Sequence, residues 1–375
     1  MERRDFLKIS ATGLAGLCLS DELNLLEAAS RNAPYSVVLL GDTHYDTEPA
    51  SVYHSFYNEP TEWLNKVQRA EFARNGEMWR ERCPRLMKRA SELITPDTKM
   101  AIQLGDLIQG DCGNPEVHKK MLTDVMYDFK KQLGGLPFVT VVGNHDIRGT
   151  GAKQAYHDMM PALMGKEIGK EISKTTFAYN IGDDAYIVID FNDPDDAEVD
   201  KLLEEYKKCR HTFIVVHGPL LPMDIGNARW FYHGKNTAEH TEARLHFRRL
   251  FAQRKAICLA GHVHRTEFAD WHGDGGRITQ LTINSVWSKP ELGRYELISE
   301  GPDQYGEYRK GIKTLANGKK PKDETALFAE YRPGLKAYSV SPAAGSYKMT
   351  VGRRHIYVDF YAGDSREISK RFILR

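Results

Sequence analysis

The sequence predicts an α/β protein, and three observations carry that prediction. Short apolar, β-prone runs recur along the chain and stop at a glycine or directly at a polar, ligand-type residue. Stretches with helical spacing lie between them. The composition, 41% hydrophobic and 27% charged over 375 residues, is that of a globular chain with enough length to bury a large core. Lys plus Arg total 52 against 51 for Asp plus Glu, so no global field draws nucleic acid or an anionic membrane, and a dedicated nucleic-acid binder is disfavoured. Beyond the first thirty residues, no segment approaches the roughly 18 uninterrupted apolar residues that span a bilayer. There is no internal repeat.

The first thirty residues read as an address. Arg3 and Arg4 precede Asp5, Phe6, Leu7 and Lys8, and a weakly apolar stretch from Ile9 to Leu19 follows, containing Gly13 and Gly16. This resembles a bacterial twin-arginine export signal, with Ala28, Ala29 and Ser30 as the candidate cleavage site. Glu2 stands where Ser or Thr usually precedes the arginine pair, and a basic amphipathic helix is the alternative. Residues 1–30 are therefore expected to be a signal peptide and the mature protein to be periplasmic or secreted. Loss of the leader removes Cys18 and leaves Cys83, Cys112, Cys209 and Cys258, which permit three full pairings. Cys258, inside an apolar run, is expected to be a buried inert thiol. No C-x-x-C spacing suggests a structural zinc ribbon.

The first expected strand, Ser36 to Leu40, ends at Gly41 and delivers Asp42 and His44. Residues separated by one point the same way in extended chain, so this carboxylate and imidazole can share one cation. Thr47 to Leu93 is a long interruption, rich in aromatic residues at its start and helical in its second half; it either packs on the core or walls a pocket. Met100 to Leu104 is the second strand and leads to Gly105 and Asp106. Val117, Met121, Leu122, Val125, Met126, Phe129 and Leu133 then mark one helical face, closed by Gly134 and Gly135. The third strand, Pro137 to Val142, delivers Gly143, Asn144, His145 and Asp146. Asn144 offers a neutral carbonyl ligand, while His145 turns the other way and is free to donate a proton. Asp111 and Asp146 are candidates for orienting it. Thr176 to Ile181 and Ala185 to Asp190 form an expected hairpin, and a helix follows from Ala197 to Lys208. Strands Thr212 to Val216 and Ala256 to Ala260 lead into His217 and into Gly261, His262 and His264.

The ordered set D-x-H, G-D, G-N-H-D, H-G and G-H-x-H, always after a strand, resembles the calcineurin-like metallophosphoesterase superfamily from about Ser36 to Trp287. The resemblance implies a four-layer αββα sandwich of two mixed β-sheets flanked by helices, with the site at the carboxyl ends of strands. It further implies two metal ions, manganese, iron or zinc. Asp42, His44, Asp106 and His264 would hold one; Asp106, Asn144, His217 and His262 would hold the other. His145 would be the general acid while a water bridging the two ions attacks in line. The implied substrate is a small-molecule phosphate ester, cleaved as diester or monoester. Purple acid phosphatases carry a tyrosine three residues after the bridging aspartate, where this chain has Gln109, so their coloured iron chemistry is not expected. Arg148, Lys153 and Arg265 are candidates for a second phosphate or simply surface charges. His118, His157 and His246 are taken as packing or surface residues.

The expected organisation is a leader at 1–30, a metallophosphoesterase domain at 34–290, and a β-rich extension at 291–375. In that extension Ser299 to Lys322 reads as a loop. Lys336 to Val340, Tyr347 to Val351, His355 to Tyr361 and Ile368 to Leu374 read as strands that complete or extend the second sheet, with a small separate β appendage that recognises substrate as the alternative. Two other functions stay open: a non-catalytic metal-binding scaffold of the same fold, and a secreted nuclease.

Overall fold

The computed structural model describes residues 33–45, 81–110, 114–223, 238–285, 294–307, 313 and 324–375. The leader at 1–30, most of the 47–93 interruption, Asp111 and Cys112 lie outside the described residues. The chain runs β1 (Tyr35–Leu40), α1 (81–92), β2 (Thr98–Gln103), α2 (Pro115–Gln132), β3 (Phe138–Thr140), α3 (Ala152–Ile168), β4 (Phe177–Ile181), β5 (Asp184–Ile189) and α4 (Asp196–Glu205). It continues through β6 (Thr212–Val216), α5 (Ala238–Gln253), β7 (Ile257–Ala260), β8 (Thr266–Gly273), β9 (Gly276–Thr282) and β10 (Ser299–Glu300). The last elements are α6 (Thr325–Tyr331), β11 (Leu335–Ser341), β12 (Gly345–Val351), β13 (Ile356–Ala362) and β14 (Lys370–Ile373).

Two mixed sheets result. One has the order β14-β13-β12-β1-β2-β3 and the other β10-β11-β8-β9-β7-β6-β5-β4. Strands β1, β2 and β3 are parallel in the first, and β5, β6, β7 and β9 in the second. Parallel strands buried on both faces need apolar residues in both directions, which is why SVVLL, TFIVV and ICLA are continuous runs. The second sheet divides the core accordingly. Tyr186, Val188, Phe213 and Val215 join the cluster that contains the first sheet, while their neighbours Ile187, Ile189, Ile214 and Val216 pack with Phe247 and Phe251 of α5. This is the expected α/β architecture of two mixed sheets with flanking helices.

Where elements differ from expectation, local chemistry explains it. α2 begins two residues earlier than the apolar spacing indicates, because the Asn114 side chain caps it by accepting from the backbone N–H groups of Glu116 and Val117, with Pro115 in the first turn. Helix α3 had no sequence expectation. It contains Pro161, and it buries Ala155, Tyr156, Met160 and Met164 between glycines of positive φ, Gly151 and Gly169. The β8–β9 hairpin was likewise missed, although it turns on an Asp274–Gly275 pair with φ of 50° and 79°, the geometry of a type I′ turn. The C-terminal strands need a correction. Only β10 and β11 lie in the second sheet. β12, β13 and β14 extend the first, with β12 pairing antiparallel to β1 from Tyr35↔Val351 to Leu39↔Tyr347. Alternation marks a strand, but the choice of sheet belongs to partners some 300 residues away.

Cys83 and Cys258 are buried free thiols, and Cys209 is a partly exposed free thiol. No helix among the described residues is long and apolar enough to cross a membrane.

Candidate metal centre

Five loops at the carboxyl ends of β1, β2, β3, β6 and β7 meet at one place. Asp42, His44, Asp106 and His264 form one group of ligand atoms, and Asp106, His217 and His262 form a second; within each group the atoms lie within 4.8 Å of one another. Asp106 is common to both. Its Oδ2 is 3.3 Å from His217 Nε2 and 3.9 Å from His44 Nε2, while its Oδ1 accepts from the His145 backbone N–H at 2.7 Å. Asp42 Oδ1 is 3.4 Å from His264 Nε2, and both its oxygens accept from the His262 N–H at 3.0 Å. Asn144 joins through its neighbour His145, and its Oδ1 is buried with no hydrogen-bond partner.

The glycines ahead of the ligands let these loops touch. A Cβ on Gly143 would sit 2.0 Å from the backbone nitrogen of Asp106, and one on Gly261 would sit 2.8 Å from Asp42 Oδ2. On Gly105, with φ of +85°, it would fall 2.5 Å from His217 Nδ1. The ligands themselves carry backbone strain. Among the described residues six non-glycine residues take positive φ, and four of them are His44 (45°), Asp106 (50°), His262 (69°) and His264 (49°). Each such residue costs on the order of 1–3 kcal/mol, and such strain collects at functional sites.

Hydrogen bonds fix the tautomers. A carbonyl can only accept, so His217 Nδ1–H donates to the Leu104 carbonyl (2.6 Å) and leaves Nε2 facing the cluster. His145 Nδ1–H likewise donates to the Gln109 carbonyl (2.9 Å) and leaves its Nε2 free. Asp146 does not orient that ring; its carboxylate accepts from the N–H groups of Ile108 (3.0 Å) and Gly143 (2.8 Å) and ties the second loop to the third. His118 is fully buried and donates to the Asp146 carbonyl at 2.7 Å, a packing role as expected. Lys153 pairs with Asp193, and Arg265 donates to the His264 carbonyl.

Burial opposes ionisation of Asp42 and Asp106, yet the imidazoles of His264 and His217 outweigh it and hold both carboxyls below the ordinary range. Burial also opposes protonation of His217, and the charges of Asp106 and Asp42 win there, raising it to about 9. For His44 and His262 burial wins, lowering them to about 4 and about 3. Burial also holds His145 well below its usual value, with Arg148 and His44 adding to the effect.

The donor set fits a pair of cations. His44 Nε2 faces His264 Nε2 at 3.2 Å, and His262 Nδ1 faces His217 Nε2 at 3.1 Å. Without metal each pair is held by a proton on one ring, as the raised His217 provides; metal ions would take the place of those protons and would satisfy the buried amide oxygen that has no partner. Sequence reasoning missed two residues at this centre. Phe191, just after β5, lays its ring 5.5 Å from the rings of both His217 and His262. Gln103, the last residue of β2, is fully buried beneath the loops. Its signal was a polar residue inside the apolar run MAIQLG.

Two mixed sheets with acidic and imidazole side chains gathered at strand ends define a metal-site protein of the α/β class. The chain belongs to the calcineurin-like phosphoesterase family, which matches residues 35–266, and its members are metal-dependent phosphoesterase hydrolases. No curated protein sequence matches significantly. Among solved structures, the chain is similar to PhoD (11% identity, 91% of this chain and 68% of that one, TM-score 0.49). It is similar to a purple acid phosphatase from yellow lupin seeds (11% identity, 91% of this chain, TM-score 0.47), of which it spans only 54%. A dimetal phosphatase from Danio rerio aligns at 11% identity over 91% of this chain and 98% of that one, with a TM-score of 0.46.

Proposed function

We propose that this chain is an exported metal-dependent phosphoesterase that hydrolyses small-molecule phosphodiesters or phosphomonoesters. The observation that carries the reading is the sharing of Asp106 between two adjoining groups of metal-ligand atoms. Asp42, His44, Asp106 and His264 hold one ion, and Asp106, Asn144, His217 and His262 hold the other; manganese, iron and zinc all suit these donors. When bound, such a pair neutralises phosphoryl charge and supplies a nucleophile at neutral pH.

The chain's own residues do the rest. Leu104 and Gln109 hold the His217 and His145 rings through their carbonyls, so neither has to reorient during turnover. In this reading His145 is the general acid: its Nδ1–H stays on the Gln109 carbonyl, and Nε2, a lone pair in the neutral ring that burial favours, takes up a proton when the charged ester binds and passes it to the leaving-group oxygen. Asn144, His262 and His264 are half-buried whereas the other members are buried, so substrate approaches on their side. Residues 1–30 act as a twin-arginine-type leader, residues 34–290 form the catalytic domain, and 291–375 extend it. A periplasmic or secreted location follows from that leader.

The test is hydrolysis of an aryl phosphodiester and an aryl phosphomonoester by metal-free protein and after addition of manganese, iron or zinc. Metal-dependent turnover that disappears in Asn144→Ala is the expected result, and the ratio of the two substrates separates diesterase from monoesterase. No turnover with any metal, together with failure to bind two ions, would overturn the assignment.

A further inference from the structure

Gln103 stands at the carboxyl end of the central strand β2, where β1, β2 and β3 part into the three loops that carry Asp42, Asp106 and Asn144. Where strands part, backbone groups lose their ladder partners, and in a dry core each must find another. The Gln103 side chain supplies them. Its Nε2 donates to the carbonyls of Gly41 (3.1 Å) and Gly105 (2.7 Å), and its Oε1 accepts from the Gly105 N–H (2.9 Å) and from the Thr140 hydroxyl. The amide's orientation is fixed by these partners, since the reverse would set an oxygen against two carbonyls. Thr43 closes the set: its hydroxyl donates to the Leu107 carbonyl at 2.9 Å and lies 3.4 Å from Gln103 Nε2. Gly41 and Gly105 immediately precede Asp42 and Asp106, the two carboxylates of the centre.

We infer that Gln103 is a positioning residue for the metal pair, setting the separation of the Asp42 and Asp106 loops. The inference rests on the two-metal reading above. Gln103 touches neither a metal ligand atom nor the substrate; it acts through the two glycines. A carboxylate of the same shape keeps the volume and the acceptor but cannot donate to both carbonyls. Gln103→Glu therefore pushes the first two loops apart while leaving the rest of the core in place.

The experiment compares manganese binding by the full chain, its Gln103→Glu and Gln103→Met variants, and Val139→Ala, a cavity-forming change in β3 of the same sheet. Calorimetric titration gives the number and affinity of ions, EPR reports whether two manganese ions are magnetically coupled, and thermal unfolding gives stability. The parent binds two ions with a coupled signal. Gln103→Glu weakens one of the two by about 10–100-fold, the usual effect of losing a residue that orients ligands, and loses the coupling. Val139→Ala lowers stability but keeps both ions and the coupled signal. Should Gln103→Glu not fold, Gln103→Met, neutral and of similar volume, carries the same expectation. A coupled two-ion centre of parental affinity in the Gln103 variants overturns the inference, as does equal loss in Val139→Ala. Failure of the parent to bind two ions overturns the two-metal reading, and this inference falls with it.

Discussion

The two ends of β1 meet buried polar clusters of opposite character. At its start, Tyr35 reaches across to the second sheet and donates to Asp184 (2.9 Å), which also accepts from Arg210 Nε (2.9 Å) and Nη2 (2.6 Å). Nearby, His211 donates from Nε2 to the Gly352 carbonyl and accepts at Nδ1 from Arg375. Each of these contacts sets a donor against an acceptor. At the far end of the same strand, imidazole nitrogens face imidazole nitrogens, an amide oxygen has no partner, and four residues sit at positive φ. Both clusters are buried and charged, so burial and charge do not distinguish a staple from a site. The distinction lies in whether the protein satisfies its own polar groups. At the Tyr35 end the Asp184 oxygens and both His211 nitrogens have partners, although Arg210 Nη1 has none; at the Asp42 end like nitrogens face each other around shared carboxylates, an arrangement organised for something the chain itself does not provide.

Substitutions can break that contrast, and the largest effect belongs to the open end. His145→Ala is expected to lower turnover of an alkyl phosphoester by about 10²–10⁴-fold. It keeps two bound ions, and an aryl ester with a good leaving group loses less; steady-state kinetics and metal content check this together. At the closed end the cost falls on folding. Arg210→Met leaves the Asp184 carboxylate uncompensated in the core and should cost about 3–5 kcal/mol in urea unfolding, with metal stoichiometry unchanged. Loss of metal along with stability would erase the distinction between the two ends.

A smaller effect comes from a third cluster, where Glu330 meets Arg244 and Arg248 on the outer side of the second sheet. Burial opposes ionisation of Glu330, but the two guanidinium groups outweigh it and hold its carboxyl below the ordinary range. A carboxyl lowered by folding adds stability above its unfolded value, and that stability is lost as pH falls through the lowered folded value. Partial exposure screens the pair, so Glu330→Gln should cost no more than about 1 kcal/mol at pH 7. The difference from the parent should vanish in acid, where both are uncharged at this position; urea unfolding at the two pH values measures it.

The contrast also shows what the sequence could disclose. Ligand types were legible because each follows an apolar strand, as in SVVLL before Gly41 and Asp42 or ICLA before Gly261 and His262. Strand ends are set by local composition, and the parallel strands need apolar residues on both faces. The positive φ of His44, Asp106, His262 and His264 left no trace, because nothing in those side chains demands it; the crowding of five loops imposes it. Gln103 passed as one more strand residue, since its importance depends on Gly41 and Thr140, which only the sheet brings to it. For the same reason β12 could be read as a strand but not as the partner of β1.

The most direct measurement is anomalous diffraction at the manganese absorption edge from crystals of the manganese-loaded chain. Two peaks about 3.5–4 Å apart, with the Asp106 carboxylate between them and Asn144 Oδ1 against the one shared with His217 and His262, are the expected result. A single peak, or two that do not share Asp106, would contradict the two-metal centre.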